Sequence, residues 1–108
     1  MSTDHTGAGE VVTAGPLGPA LAGTATAKLV KAPELDVVRL IIPAGKEIAE
    51  HQAPGLITVH CLEGAVDFTT GGRTRRLGAG QFLYLTAGTP HSLRGVEDAS
   101  VLVTVLRG

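Results

Sequence analysis

The chain is predicted to be an all-β sandwich or barrel. Strand-sized runs of branched and aromatic residues recur at spacings of roughly 8–12 residues, which suits two packed sheets. Turn residues (Gly, Pro, Asp) separate these runs, and no stretch sustains helical periodicity. With 108 residues the chain has room for one core and no second domain.

Residues 1–23 are built from Gly, Ala, Thr and Pro, with breaks at Gly15-Pro16 and Gly18-Pro19. Such a composition offers little to bury, so a flexible or edge-lying N-terminal arm is expected there, with residues 24–108 as the single domain. Residues 25–31 read as the first strand, and Ala32-Pro33-Glu34 as a turn. Residues 35–42 (LDVVRLII) form a longer branched run, stopped by Pro43-Ala44-Gly45. Residues 45–50 are the one segment arguable as helix, and they are too short to hold one. After Pro54-Gly55, residues 56–62 read as a buried strand. Residues 65–70 alternate Val66 and Phe68 with Asp67 and Thr69, the period of a half-buried strand. Gly71-Gly72 makes a two-residue hairpin turn into residues 73–77. Residues 81–85, 91–94 and 100–106 complete the set, divided by Ala87-Gly88-Thr89-Pro90 and by Glu97-Asp98.

Charge and composition exclude several functions. A net charge of −1 draws the chain neither to nucleic acid nor to an anionic membrane. Arg73, Arg75 and Arg76 on the hairpin have no interleaved aromatic, so they read as a solubilising edge strand. The single cysteine leaves no intramolecular disulfide, and the N-terminus carries no basic segment followed by an apolar run. A reducing, cytoplasmic setting is therefore expected. No apolar run approaches the roughly 18–20 residues needed to span a bilayer.

The stretch from Gly45 through His51 to Leu62-Glu63-Gly64 resembles the first motif of the cupin superfamily. Gly80-Gln81-Phe82-Leu83-Tyr84-Leu85, ending at Gly88-Thr89-Pro90-His91, resembles its second. The similarity covers roughly residues 28–106 and implies a small RmlC-like cupin: a double-stranded β-helix, or jelly-roll barrel, often dimeric, whose interior usually houses a metal or a small ligand.

Metal-binding cupins typically carry His-x-His, then a Glu, then a last His in the second motif. By that resemblance His51 and His91 are present, but Ala53 and Ile57 stand at the other two ligand positions. Two imidazoles fall short of the three or four protein ligands such a site needs. His60 does not substitute on parity: if Ile57 faces inward, so do Val59 and Cys61, while His60 faces out unless a bulge intervenes. Cys61 has the right parity but reads as a small buried residue. No tightly held cofactor is therefore expected. A divalent metal (Zn, Fe, Ni or Mn) held weakly by His51, His91 and waters is the alternative.

The expected function is binding of a mainly apolar small molecule, because Leu, Val and Ile must fill a barrel with only Phe68, Phe82 and Tyr84 as aromatics. The expected lining is His51, Ile57, Val59, Cys61, Tyr84 and His91. The alternative is an enzyme, either metal-dependent and dioxygenase-like or an isomerase or cyclase with His51 and His91 as acid and base. A homodimer is expected, because the apolar strands at residues 35–42 and 100–106 offer more surface than one small sandwich covers.

Overall fold

The computed structural model describes residues 5–107. A short 3-10 helix, Gly18–Gly23, precedes seven strands: β1 Ala27–Lys31, β2 Leu35–Ile42, β3 Glu47–His51, β4 Ile57–Thr70, β5 Arg73–Gly78, β6 Phe82–Leu85 and β7 His91–Leu106. All-β architecture is as the sequence predicts. Two differences concern connectivity. Apart from Leu56, residues 56–62 and 65–70 belong to one bent strand, and so do 91–94 and 100–106. Of residues 45–50, arguable as helix, Glu47 onward is strand β3, held by its pairing with β7 through Glu47 with Arg94 and Ile48 with Leu93.

β4 and β7 pair antiparallel along their whole length, from Ile57 with Val105 to Thr70 with His91. The first half of β4 also pairs with β6, and the second half with β5. Likewise β7 pairs first with β3 and then with β2, which carries β1 on its far edge. The sheet therefore divides into two leaves, β1-β2-β7-β4-β6 and β3-β7-β4-β5, joined where β4 and β7 bend. Both leaves contribute to one core that includes Ile42, Val59 and Val101 from the first and Val66, Phe68 and Leu93 from the second. They face one another, which is the jelly-roll arrangement.

The bend lies where the β4–β7 register shifts, between Cys61 and Val66. Gly64 sits in it at φ +75°, and a Cβ there would meet the Asp98 carbonyl oxygen at 2.0 Å, so only glycine fits. The shift also changes parity. Ile57, Val59 and Cys61 are buried before it, Val66 and Phe68 after it. Because the bulge follows Cys61, it leaves His60 facing outward beside Phe82, with ring centroids 6.1 Å apart. Both ends of β4 lead away from this bend, so Ile57 and Thr70 come to the same, open end of the barrel.

Residues 5–23 lie along the outside of the first leaf. The Thr6 N–H donates to the Leu29 carbonyl, and Arg39 donates to the Thr13 carbonyl at 2.9 Å. The Glu63 carboxylate accepts the Leu17 and Gly18 N–H groups at 2.7 and 2.9 Å and the Ser100 hydroxyl at 2.6 Å. Burial pushes the Glu63 pKa up, but these three donors and the nearby Arg39 charge outweigh it and hold the carboxyl below its ordinary range. Leu21, in the arm's 3-10 helix, is buried. Residues 1–4, part of the expected arm, fall outside the described residues. Among those described, no helix is long and apolar enough to cross a membrane.

Candidate functional site

His51 ends β3 and His91 begins β7, and the two are cross-strand partners at the open end. Their rings meet edge to face, centroids 4.3 Å apart at 61°. His91 is buried and His51 exposed, so the pair runs from the interior to solvent. Phe68 lies nearly parallel to the His91 ring at 5.6 Å.

Backbone carbonyls fix the tautomers. His51 Nδ1 lies 2.9 Å from the Ala49 oxygen, and His91 Nδ1 lies 2.9 Å from the Thr89 oxygen. A carbonyl only accepts, so each Nδ1 carries the proton and each neutral ring keeps its lone pair on Nε2. Each histidine thus borrows the carbonyl two residues back in the chain as its orienting group, Ala49 within β3 and Thr89 in the loop before β7.

Two such lone pairs are a start toward a metal site, but the remaining donors are lacking. Among the described residues no group of three or more His, Cys, Asp or Glu side chains could hold a metal ion. Ile57, at the position where the family pattern calls for Glu, is 3% exposed and packs into the core. Cys61 is fully buried, its Sγ 3.3 Å from the Glu63 carbonyl, and burial pushes its thiol pKa up, away from the thiolate a metal needs. The donor set does not fit a tightly bound metal.

The remaining expected lining residues divide by parity. Ile57 and Val59 face inward, with the partly exposed Leu83, Leu85, Val103 and Val105 around them toward the open end. Tyr84 was expected to line the interior, and instead it stands on the outer face, 61% exposed. Its register explains this: Leu83 and Leu85 pair with the inward Val59 and Ile57, so Tyr84, paired with Thr58, points the other way.

The sequence reading missed the row on the second leaf. Thr70 pairs with both His91 and Arg73, and Phe68 with both Leu93 and Arg75. Cross-strand partners share a face, so Arg73 and Arg75 stand on the inner side with His91 and Phe68. Arg76 alternates outward, where its Nε meets Asp67 at 2.7 Å. The signal was available: the hairpin turn fixes the pairing of Thr70 with Arg73, and an inward Phe68 then sets the face of Arg75. A groove of about 510 Å³ between Glu47, Asp67, Thr74 and Arg94 lies on the opposite, outer surface of this leaf and contains neither histidine.

A family model described as the cupin domain matches residues 38–106, most of the chain. The chain belongs to the cupin family. A solved structure, that of a conserved Streptococcus pyogenes protein (SPY1581) of unknown function, is 31% identical with a TM-score of 0.72, over 77% of this chain and 73% of that one. The DMSP lyase DddQ of Ruegeria pomeroyi is 28% identical with a TM-score of 0.63, over 71% of this cupin and 40% of the lyase. An RmlC-like cupin from Desulfovibrio desulfuricans, 23% identical with a TM-score of 0.73, covers 90% of this chain and 97% of its own, and shows the shared fold. No curated protein matches.

Proposed function

We propose that this cupin binds a small molecule at the open end of its barrel, against His51 and His91, without a tightly held metal. The observation that carries the reading is the pair of oriented imidazoles. Both Nδ1–H groups are tied to backbone carbonyls, and both Nε2 lone pairs are left to a ligand hydroxyl or other donor. Leu83, Leu85, Val103 and Val105 would take an apolar body, as ligand sites combine apolar walls with a few aimed polar groups. A cytoplasmic setting belongs to the same reading, supported by the one cysteine remaining a free, buried thiol.

Metal analysis of protein purified without a histidine tag tests it. The expected result is substoichiometric metal and a melting temperature unchanged by EDTA. Stoichiometric iron, zinc, nickel or manganese that disappears in His91→Ala would overturn it.

An enzymatic reading rests on the same geometry. Adjacent imidazoles with open Nε2 atoms are suited to accept a proton at one position and return it at another, as an isomerase or lyase requires. The DddQ structure, 28% identical, is that of a lyase. Turnover unaffected by His51→Ala would count against this reading.

The proposed partner is a second copy of the chain. The outer face of the first leaf presents Phe82 and Tyr84, 60% and 61% exposed, beside His60 and Leu102, and a two-fold pairing would bury it. A monomer by light scattering at micromolar concentration would refute the dimer.

A further inference from the structure

We infer that the open end is selective for an anion: it takes a small carboxylate whose charge sits on Arg73 and Arg75 while its body lies toward His51 and His91. This deepens the proposed binding function and rests on it.

The pairing register draws the site. Across the second leaf one inner row reads His51, His91, Thr70, Arg73, and the next reads Ile48, Leu93, Phe68, Arg75. Neighbouring strands are spaced ~4.8 Å apart, so each arginine backbone stands about 10 Å from its partner two strands away. That is the span of a small molecule. β5 and β6 flank β4 on the same side, which brings the arginines to the rim that also carries Leu83 and Leu85.

Among the described residues no other charge pairs with these guanidinium groups. Among the described residues the ion pairs are Lys28 with Asp36, Arg107 with Asp36 and Arg76 with Asp67, and neither Arg73 nor Arg75 has one. The carboxylate on the inner row of the opposite leaf is Asp36, and it is already taken by Arg107 at 2.7 Å and Lys28 at 3.2 Å. Glu50 lines the grooves on the outer side of the leaf with Thr69 and Ser92, and Glu47 pairs with the outward Arg94. The rim therefore carries two uncompensated cations beside an apolar wall and two hydrogen-bond acceptors. Guanidinium matches a carboxylate in a planar, two-point contact. A neutral molecule of the same shape lacks that charge-assisted, two-point contact.

Hexanoate and hexanamide at constant ionic strength separate the charge from the apolar wall. Binding is followed by NMR of the histidine rings and the arginine Nε–H groups. The expected result is saturable shifts at His91, Arg73 and Arg75 with hexanoate, and binding of hexanamide at least about tenfold weaker. Arg73→Gln and Arg75→Gln should each weaken hexanoate by about tenfold and leave hexanamide unchanged, whereas Arg76→Gln, on the other face of the same strand, should change neither. Equal binding of both probes, or hexanoate binding indifferent to Arg73→Gln and Arg75→Gln, would overturn the anion selectivity and leave the binding function standing. Absence of any shift at His51 or His91 with either probe would overturn both.

Discussion

The two ends of this barrel are built to opposite rules. At the bend, Cys61, Val66, Ala99 and Val101 have no exposed surface, and the local carboxylate, Glu63, accepts three hydrogen bonds. At the open end Leu83, Leu85, Val103 and Val105 stay partly exposed, two imidazoles keep free lone pairs, and two arginines have no counter-ion among the described residues. One end is closed by packing and by the hydrogen bonds to Glu63, and the other leaves polar groups open. Stability should therefore respond to changes at the bend, and binding to changes at the mouth.

The sharpest contrast pairs two glycines with similar backbone angles. Gly64→Ala places a Cβ 2.0 Å from the Asp98 oxygen at φ +75°, whereas Gly71, at φ +60° in the hairpin turn, has nothing within 4 Å. Gly64→Ala should cost about 5 kcal/mol or prevent folding, and Gly71→Ala about 1–2 kcal/mol, by urea denaturation. Equal losses would erase the distinction between the ends.

Phe68 belongs to both regions, since it fills the core and supports the His91 ring. Phe68→Ala should cost about 3–4 kcal/mol in the same assay, and any ligand-induced shift at His91 should weaken with it.

Next in size is the clamp on the arm. Glu63→Gln should cost about 1–2 kcal/mol, through weakened hydrogen bonds to the charged group. Because the folded-state pKa of Glu63 is lowered, its contribution is fully present above the ordinary carboxylate range. It is lost as pH falls through the depressed value. Amide exchange at Leu17 and Gly18, corrected for intrinsic rates, should accelerate over that acid window in the native chain but not in Glu63→Gln. An arm that stays equally protected would place its anchor elsewhere.

The smallest effect belongs to the mouth. His51→Ala, at an exposed strand end, should change stability by no more than about 0.5 kcal/mol. A loss like that of Phe68→Ala would make His51 a structural residue.

What the sequence revealed follows the same division. Branched runs located most strands, and period-2 parity put Ile57, Val59 and Cys61 inside and His60 outside. The continuity of β4 and β7 was hidden, because Glu63-Gly64 and Glu97-Asp98 look like chain breaks while the structure carries the pairing through them with shifted register. β3 was hidden because EIAEH has little strand character of its own and is held by β7. That His51 and His91 share a site came only from the family resemblance, since long-range pairing is not written in local pattern. The faces of Tyr84 and Arg75 depend on register against β4, and only the hairpin half of that register was readable from a turn.

Long-range ¹H–¹⁵N spectra of the histidine rings at about pH 8, where free imidazole is neutral, test the central claim most directly. Nδ1 should be protonated and Nε2 bare in both His51 and His91, with signals indifferent to EDTA and Nε2 resonances that move when a ligand fills the mouth. Nε2 protonated in the free protein, or ring signals that change when metal is stripped, would contradict it.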